Sequence, residues 1–267
     1  MRRRPGTQDQ GRTEDQGRTK NPDPRTKDHD LTDVSKSPER IAGMFDAIAE
    51  RYDLLNHLLS AGIDRRWRAR AIQSLELAGR ERVLDLCTGT GDLAIAAARA
   101  RPSAARVVGV DFAGAMLRVG EGKLRNERLN DRIAMVQGDA TRIPLGDASV
   151  DAVTIGFGIR NVEDMEAACV EMHRVLKPGG RLAILEFAVP DAPVISMLYG
   201  WYLRRVLPLV GRAVSRHTTA YGYLPASIGA FASPDAFVKI LRQAGFSAIS
   251  PIRLTFGSVI LYTARRG

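Results

Sequence analysis

The chain has 267 residues, 45% of them hydrophobic, and a formal net charge of +9 at pH 7. This length and composition suit one large α/β domain with a sizeable core. A transmembrane helix is not expected, because no stretch of about 18 uninterrupted apolar residues occurs, and the N-terminus lacks the apolar region of a secretory signal. The two cysteines, Cys87 and Cys169, show no metal-ligand or redox spacing, so we expect buried thiols in a reducing cytoplasm.

The N-terminal residues 1–36 form a polar segment rich in Gly, Pro, Asp, Arg, Thr and Gln. Such a composition cannot bury enough apolar surface to offset the entropy lost on ordering, so we expect disorder there. A single domain is predicted over 37–267. Apolar residues at helical spacing predict helices over 39–59 and 65–77, and we interpret 37–78 as a helical lid over a pocket.

The stretch 82–98, RVLDLCTGTGDLAIAAA, predicts a buried strand, a glycine turn and the start of a helix. Gly89 and Gly91 lack a Cβ, so the backbone can turn sharply there and approach a ligand. A strand followed by a glycine loop and a helix start forms a small-molecule pocket at the carboxyl end of a parallel sheet. Because the spacing also fits the G-x-G-x-x-[GA] fingerprint of nicotinamide enzymes, the loop alone leaves the cofactor open.

Strands and helices alternate after the glycine loop, and the chain ends with two adjacent strands. This alternation predicts a parallel, doubly wound sheet by the usual connection rules. The terminal pair adds an antiparallel C-terminal strand, so the predicted fold class is α/β, the Rossmann-like fold of class I S-adenosylmethionine-dependent methyltransferases. Residues 190–231 are interpreted as an inserted lid. The later strands are predicted over 106–110, 133–137, 152–155, 181–187, 247–254 and 256–263, and the later helices over 115–126, 162–176 and 233–244.

Carboxylates are predicted at the ends of the first three strands, on Asp85, Asp111 and Asp139. Asp85 forms a D-x-x-x-G-x-G spacing with the glycines, where it would repel a pyrophosphate but can accept from an ammonium group. Asp111 has the usual position of an acceptor for ribose hydroxyls. Asp139 can accept from an adenine amino group, and Phe112 can pack on the adenine. S-adenosylmethionine carries a sulfonium and an ammonium, so this acidic rim favours it over a dinucleotide.

Longer stretches of the chain resemble one family closely. Among them are NHLLS at 56–60, RRWR at 65–68, VLDLCTGTGD, GVDFAGAML, GDATRIPLGDASVDAVTIGFGIRNVED, EMHRVLKPGGRLAILEF and YGYLPASIGAFASPDAF. In this order they resemble the ubiquinone/menaquinone biosynthesis C-methyltransferase family, UbiE/MenG, which includes demethylmenaquinone methyltransferases. GFGIRNVED and YLPAS are the most specific of them. The resemblance implies methylation of a ring carbon of a polyprenylated quinol, either demethylmenaquinol or 2-methoxy-6-polyprenyl-1,4-benzoquinol.

The resemblance also implies cofactor-binding residues. Family contacts fall on Thr90, Asp111, Asp139 and Ala140, in addition to the glycines of the loop. One further contact, usually a serine after the fourth strand, falls on Gly156, so a side-chain hydrogen bond is lost there. The complete predicted cofactor set, from loop and strand ends together, is Asp85, Gly89, Thr90, Gly91, Asp111, Phe112, Asp139, Ala140 and Gly156.

The catalytic candidates are Arg160 and Asn161, just past the fourth strand. A sulfonium is already a good electrophile, so no metal is expected, and the acceptor carbon becomes nucleophilic when a phenol of the quinol loses its proton. The family arginine that matches Arg160 is proposed to assist this proton loss through water. A guanidinium stays protonated in proteins, so we predict that Arg160 stabilises the developing phenolate and Asn161 orients it. The alternative for Arg160 is a salt bridge that holds the lid. Other candidates are His57, Glu186, His217 and Tyr223.

The segment 194–214 combines large apolar side chains with arginines. This suits either an interfacial helix on anionic lipid or an ordinary lid with its apolar face on the core. The predicted partners are the quinol, a membrane surface and, as a further expectation, a second copy of the chain. No nucleic acid is expected, because the residues after the fourth strand lack the Asp/Asn-Pro-Pro-aromatic motif of base-modifying enzymes. We expect a cytoplasmic protein that contacts the inner face of the cell membrane.

Two other interpretations stay open from the residues alone. A methyltransferase acting on a sterol or a phospholipid amine would share the cofactor half of the chain. A non-enzymatic cofactor-binding protein is disfavoured by the strand-end carboxylates.

Overall fold

The computed structural model describes residues 36–100, 106–206 and 219–267. The predicted disordered segment 1–36 lies outside the described residues apart from Lys36, and His217 lies outside them as well. The same holds for 207–218, which belong to the predicted lid. The division of the chain into a tail, a domain and two lids therefore stays a prediction.

The short apolar runs of the sequence form the strands predicted for them, except that the last, predicted over 256–263, begins only at Val259 because 255–257 form a 3₁₀ turn. The described residues contain seven strands, and the glycine loop follows the first of them. The strands are Arg82–Leu86 (β1), Arg106–Asp111 (β2), Ile133–Gln137 (β3), Val150–Gly156 (β4), Leu176–Phe187 (β5), Phe246–Leu254 (β6) and Val259–Arg266 (β7).

Helices connect these strands, and their ends follow local capping chemistry. The last one, for example, has Pro234 in its first turn, and the Ser233 hydroxyl accepts a hydrogen bond from the backbone N–H of Ala236. The described residues also contain short 3₁₀ turns at Ile159–Asn161 and Thr255–Gly257 and a π-helical turn at Tyr202–Val206. The helices are Pro38–Leu59 (α1), Asp64–Ser74 (α2), Asp92–Ala100 (α3), Gly114–Glu127 (α4), Met165–Val175 (α5), Pro193–Trp201 (α6), Thr219–Ala230 (α7) and Pro234–Gln243 (α8).

The sheet has the strand order β3-β2-β1-β4-β5-β7-β6. Strand β1 pairs in parallel with β2 on one side and with β4 on the other, so the winding reverses between β1 and β4. Open parallel sheets bind ligands at such a switch point, beyond the carboxyl ends of the strands. Strand β7 pairs antiparallel with both β5 and β6. The predicted fold class, with one antiparallel C-terminal strand, is confirmed.

The side chains of β1 alternate between two apolar layers, because successive residues of a strand point to opposite faces. Leu84 and Leu86 are buried with residues of α5 and α8, whereas Val83 is buried with residues of α2, α3 and α4. Helices therefore cover both faces, as expected for a parallel sheet. Asp85 shares the face of Val83 and is only 1% exposed, so β1 carries a carboxylic acid inside the fold.

Two other expectations about local structure are wrong. The helix predicted over 162–176 begins only at Met165, because the carboxylate of Asp164 accepts from the backbone N–H of Ala167 across 2.9 Å and caps it there. Cys87 is half-buried rather than buried, because it lies one residue beyond β1 in a left-handed turn with φ +54°. Cys169 is buried, as predicted.

The KPGG segment, 177–180, also differs from its prediction as a break between helix and strand. Strand β5 already begins at Leu176, which pairs with Val150, and pairing resumes at Arg181 with Ala152. The intervening residues form a bulge in β5, consistent with a proline that lacks a backbone donor and with glycines that accept sharp bends.

Candidate active site

Two cavities adjoin each other beyond the carboxyl ends of β1 and β4. The strand-end cavity, about 400 Å³, lies between the glycine loop, the ends of β2 to β4 and helix α1. The aromatic cavity, about 240 Å³, lies between α1, α2, α6 and α7. A small cavity of about 30 Å³ lies beside the glycine loop and Asp85. Aromatic residues lining the aromatic cavity include Phe45, Tyr52, Trp67, Phe157, Phe187, Tyr199, Tyr202 and Tyr223.

The glycine loop approaches the strand-end cavity because Gly89 and Gly91 both adopt positive φ, +57° and +83°. Gly89 lines the cavity, and its backbone N–H donates to Asp111 Oδ2 across 2.8 Å. A Cβ on Gly91 would lie 2.5 Å from Met135 Cε. Gly91 is not among the residues that line the three cavities of the described chain. Its contribution is therefore the shape of the loop.

Asp111 ends β2 and faces the strand-end cavity. Its two carboxylate oxygens accept from the backbone N–H groups of Gly89, at 2.8 Å, and Ala113, at 2.9 Å. Burial raises the pKa of Asp111 above its ordinary value. The backbone thus holds the carboxylate in one orientation, and its remaining lone pairs can accept from a hydroxyl pair of a ligand.

Three other predicted residues line the same cavity at the ends of β2 and β3. Asp139 Oδ1 accepts from the backbone N–H of Thr141 across 2.8 Å, Ala140 is buried, and the side chain of Phe112 is 40% exposed. The arrangement places a hydrogen-bond acceptor, a small apolar side chain and an aromatic ring around one end of the cavity. This is chemistry suited to a flat base with an exocyclic amino group.

Asp85 lies beside the small cavity rather than the strand-end cavity. Its carboxylate accepts from the hydroxyls of Thr88, at 2.6 Å, and Thr154, at 2.7 Å. Burial raises its pKa to about 6. A cationic group beside this acid would favour its charged form, so the position suits an ammonium ligand.

Thr90 and Gly156 also border the small cavity. The Thr90 hydroxyl donates to Asp53 of α1 across 2.5 Å, and Lys123 Nζ of α4 lies 2.6 Å from the other oxygen of Asp53. The single hydroxyl donor of Thr90 is therefore used to tie the glycine loop to α1. At Gly156 a Cβ would lie 3.3 Å from Leu93 Cδ2, so a side chain here would require Leu93 to shift by a few tenths of an ångström.

Arg160 is 5% exposed and lines the aromatic cavity. Its Nη1 lies 2.7 Å from Oε1 of Glu186, which is fully buried, and Nη1 also donates to the carbonyl of Phe157. Nε donates to Ser227 Oγ across 3.3 Å. The sequence left a salt bridge that holds the lid as an alternative role, but this ion pair joins Arg160 to β5, and its contact with the predicted lid is the hydrogen bond to Ser227. Nη2 donates to none of the residues that the structure describes, so it can still donate to a ligand.

Asn161 lines the strand-end cavity, so it and Arg160 face adjoining cavities. Its Oδ1 accepts from the Tyr223 hydroxyl across 3.1 Å, which brings a second candidate of the sequence into the site. Glu186 enters as the partner of Arg160. His57 pairs instead with Asp64 across 3.0 Å, and we give it no role in the chemistry.

Sequence reasoning missed the aromatic side chains around the junction of the cavities. The rings of Phe157 and Phe187 lie 4.4 Å apart, and Trp67 lies 5.8 Å from Phe157. Tyr52, on the helix predicted over 39–59, lines all three cavities. Phe157 adopts φ +61°, a conformation that costs a non-glycine residue about 1–2 kcal/mol. A phenylalanine between two glycines directly after a predicted strand, GFG at 156–158, was the available signal.

Neither a metal site nor a membrane-spanning helix is found in the part of the chain that the structure describes. Over 36–100, 106–206 and 219–267, no group of three or more His, Cys, Asp or Glu could hold a metal ion. Within the same ranges no helix is long and apolar enough to cross a membrane.

Solved structures share the fold at low sequence identity. A [4+2]-cyclase, SpnF, covers 86% of this chain and 97% of its own at a TM-score of 0.58 and 18% identity. A SAM-dependent methyltransferase from Thermotoga maritima covers 84% of this chain and 99% of its own, with a TM-score of 0.55 and 17% identity. Because a cyclase has this fold too, the fold alone does not decide the activity.

The fold and the acidic, glycine-lined site define a class I S-adenosylmethionine-dependent methyltransferase. Three carboxylates and a loop with two glycines fit a ligand that is cationic and closely approached by the backbone. The model of the ubiE/COQ5 methyltransferase family matches residues 33–266. The chain belongs to this family, as the resemblance of its motifs predicted.

Curated relatives extend over nearly the whole chain. A ubiquinone/menaquinone biosynthesis C-methyltransferase UbiE from Geobacter sp. (strain M21) is 46% identical over 233 residues, covering 87% of this chain and 99% of its own. A demethylmenaquinone methyltransferase from Bacteroides fragilis is 39% identical over 244 residues, covering 91% and 99%. The similarity therefore includes both the strand-end cavity and the helices around the aromatic cavity.

Proposed function

We propose that the protein transfers the methyl group of S-adenosylmethionine to a ring carbon of a polyprenylated quinol. The favoured acceptor is demethylmenaquinol, which gives menaquinol, and 2-methoxy-6-polyprenyl-1,4-benzoquinol of ubiquinone biosynthesis is the second. The observation that carries the proposal is an aromatic, apolar cavity with a buried arginine directly beside a carboxylate-rimmed cavity. The names of the curated relatives support the same substrate class.

Residues at the ends of the strands would hold the cofactor. Asp111 would accept from the ribose hydroxyls, Asp139 from the adenine amino group, and Asp85 from the ammonium beside the small cavity. Phe112 and Ala140 would flank the adenine. When bound, S-adenosylmethionine supplies an electrophilic methyl group that needs no metal.

Arg160 and Asn161 would act on the acceptor. A quinol carbon becomes nucleophilic when the neighbouring phenol loses its proton, since the oxygen charge delocalises into the ring. Nη2 of Arg160 can donate to that oxygen in a largely apolar cavity, where a preorganised donor is more effective than in water. Asn161, held by Tyr223, would orient the same oxygen. The phenolic proton leaves to water, because the guanidinium cannot take it.

The balance of the reaction is one methyl group and one proton. The carbon–methyl bond forms as the sulfur–methyl bond breaks, and the ring then loses the proton of the methylated carbon to regain aromaticity while the phenolate is reprotonated. One proton is released overall. Arg160 has the same task throughout, which is to lower the free energy of the phenolate.

The test is methyl transfer by the purified full chain. We expect demethylmenaquinone, reduced chemically under argon, to gain one methyl group in the presence of S-adenosylmethionine, as measured by mass spectrometry. The oxidised quinone is the matched control and should not react, because its ring is not nucleophilic. Binding of S-adenosylmethionine without methylation of either quinol would contradict the proposal. Complementation of a strain lacking this methyltransferase, with its quinones identified, distinguishes the two acceptors.

A membrane surface is the second proposed partner, and helix α6 supports it. Val194, Met197, Leu198 and Trp201 lie at helical spacing and are each 57–65% exposed. Other faces of the same region are turned inward, since Tyr199 and Tyr202 line the aromatic cavity and the Tyr202 hydroxyl donates to the carbonyl of Leu59 across 2.6 Å. A lipid tail could thus pass from a bilayer to the cavity along one helix.

Vesicle flotation tests this contact. We expect the protein to float with phosphatidylglycerol–phosphatidylethanolamine vesicles, and the double variant Met197→Asp/Trp201→Asp to remain in solution. The matched control is Val170→Asp on α5, because Val170 is 55% exposed but lines neither large cavity of the described chain. Equal flotation of both variants would contradict the proposal. A homodimer that dissociates in the double variant, seen by sedimentation, would assign this face to the predicted second copy instead.

A further inference from the structure

The strand-end cavity, the aromatic cavity and the small cavity share the side chains of Tyr52 and Phe157. A methyl group that passes from one large cavity to the other must cross this junction. Tyr52 belongs to α1, which covers the site. Phe157 follows the end of β4, a central strand of the sheet, so its position is set by the core of the fold.

The backbone of Phe157 is held on both sides. Its N–H donates to the carbonyl of Leu185 across 2.8 Å, and its own carbonyl accepts from Arg160 Nη1. These contacts keep a phenylalanine at φ +61°, where side chains with a Cβ are uncommon. Strained residues that the surrounding structure enforces cluster at ligand sites. The conformation therefore makes Phe157 a candidate for a role in ligand binding.

The ring of Phe157 belongs to a cluster of three aromatic rings at the junction. It lies against Phe187 with 4.4 Å between centroids and an interplanar angle of 30°, and Trp67 packs on it at 5.8 Å. The guanidinium carbon of Arg160 lies 5.3 Å from the centroid of Phe187. An aromatic surface and the proposed phenolate-stabilising group thus lie side by side at the junction.

We propose that Phe157 is a specificity-determining residue that selects a planar, hydroxylated aromatic ring as the methyl acceptor. The acceptor ring would lie in offset contact with the Phe157 ring, which places one edge of the acceptor at the junction and its hydroxyl beside Arg160. Aromatic rings favour such offset contacts with one another, and a saturated ring lacks the π face on which these contacts depend. The inference rests on the proposed function, because it assigns the acceptor to the aromatic cavity.

A binding experiment tests the inference without turnover. Trp67 and Trp201 are the two tryptophans of the chain, so a Trp201→Phe parent leaves Trp67, which packs on Phe157, as the only tryptophan reporter. The probes are 1,4-naphthalenediol under argon and its saturated analogue decahydronaphthalene-1,4-diol. Phe157→Leu keeps a Cβ and an apolar side chain but removes the ring, and Phe157→Tyr keeps the ring. Calorimetry of S-adenosylmethionine binding runs in parallel.

We expect Phe157→Leu to raise the Kd of naphthalenediol about tenfold. The Kd values of the saturated diol and of S-adenosylmethionine should change by less than about twofold. Phe157→Tyr should bind all three ligands like the parent. In the methylation assay the same leucine variant should raise KM for the quinol more than it lowers kcat.

Three results would overturn the inference. They are failure of naphthalenediol to bind the parent, equal weakening of both diols, and equal weakening of the diol and S-adenosylmethionine, which would indicate packing alone. A parent that binds the diol selectively but methylates no quinol would contradict the proposed function and leave only the selectivity of Phe157 for an aromatic ring. Normal diol binding by Phe157→Leu in an enzyme that methylates the quinol would contradict the inference and leave the proposed function intact.

Discussion

The strand-end cavity and the aromatic cavity are built in different ways. The first is formed by residues that follow β1 to β4 directly, and its carboxylates are held by backbone N–H groups, as at Asp111. The second is formed by side chains from four helices and by the ends of β4 and β5, and one of its charge pairs joins Arg160 to the fully buried Glu186. A cofactor site can thus be recognised from short sequence motifs, whereas the site of the methyl acceptor depends on how distant helices pack.

The comparison also separates two kinds of polar group. Asp85 and Asp111 are acids whose pKa burial raises, so they favour a cationic ligand that offsets the cost of their charge. Arg160 already has a counter-charge in Glu186, so it can donate to a neutral or weakly acidic acceptor without leaving an unpaired charge. Substitutions in the two cavities should therefore affect different measurements.

The largest effect is expected from Arg160→Ala in the aromatic cavity. We expect kcat to fall roughly 100- to 1,000-fold, because a preorganised donor to the developing oxyanion is lost, while the Kd of S-adenosylmethionine changes less than about threefold. Stopped assays and calorimetry measure the two quantities. Unchanged kcat would remove Arg160 from the chemistry.

The control for that variant concerns stability, since breaking a buried ion pair costs about 3–5 kcal/mol. The double variant Arg160→Gln/Glu186→Gln removes both charges and should unfold at a denaturant concentration closer to that of the parent. Its kcat should remain low. Recovery of activity in the double variant would mean that the single variant fails because Glu186 is left unpaired, and not because the guanidinium is missing.

The reverse pattern is expected from Asp111→Asn in the strand-end cavity. The amide keeps the shape but loses the charge, and a hydrogen bond to a charged group contributes about 1.5–3 kcal/mol. The Kd of S-adenosylmethionine should rise about 10- to 100-fold while naphthalenediol binding stays within about twofold. Equal losses for both ligands would show that the two cavities do not act separately.

A smaller effect is expected from Gly91→Ala, which tests whether the loop shape is needed. The new Cβ would lie 2.5 Å from Met135 Cε at φ +83°, so we expect a loss of about 2 kcal/mol in the free energy of unfolding. Gly122→Ala on α4 is the matched control, because a Cβ there meets no atom within 4 Å. It should stabilise the protein by about 0.5–1 kcal/mol. Urea unfolding of both variants decides the matter.

The smallest effect concerns the pH dependence of stability through Asp85. Its folded pKa, about 6, exceeds the ordinary value of 3.8. The group therefore stabilises the folded state fully below pH about 4, and this contribution is lost as the pH rises through about 6. Relative to Asp85→Asn, the parent should lose about 1.5 kcal/mol of unfolding free energy between pH 5 and pH 7.5. Parallel pH profiles of the two proteins would contradict the assignment.

Much of the fold and the cofactor half could be predicted from the sequence. The glycine loop, β1 to β4 and the positions of Asp111 and Asp139 follow from short apolar runs, glycines and acids at strand ends, which depend on local chemistry. The start of α5 was misplaced because the Asp164 cap competes with the apolar pattern that begins at Val162. The half-buried state of Cys87 depended on a left-handed turn that its sequence position does not reveal.

The sequence by itself determined the class of fold, the kind of cofactor and the family, because each depends on motifs of a few neighbouring residues. Only the tertiary structure decided three polar contacts. Asp85 is buried and accepts from two threonine hydroxyls, the Thr90 hydroxyl donates to Asp53, and Arg160 is paired with Glu186. The tertiary structure also brought Trp67, Phe157 and Phe187 together from three separate elements. Apart from the contact between Asp85 and Thr88, which are three positions apart, these contacts join residues 26 to 120 positions apart, and only packing of the whole sheet and its helices sets such distances.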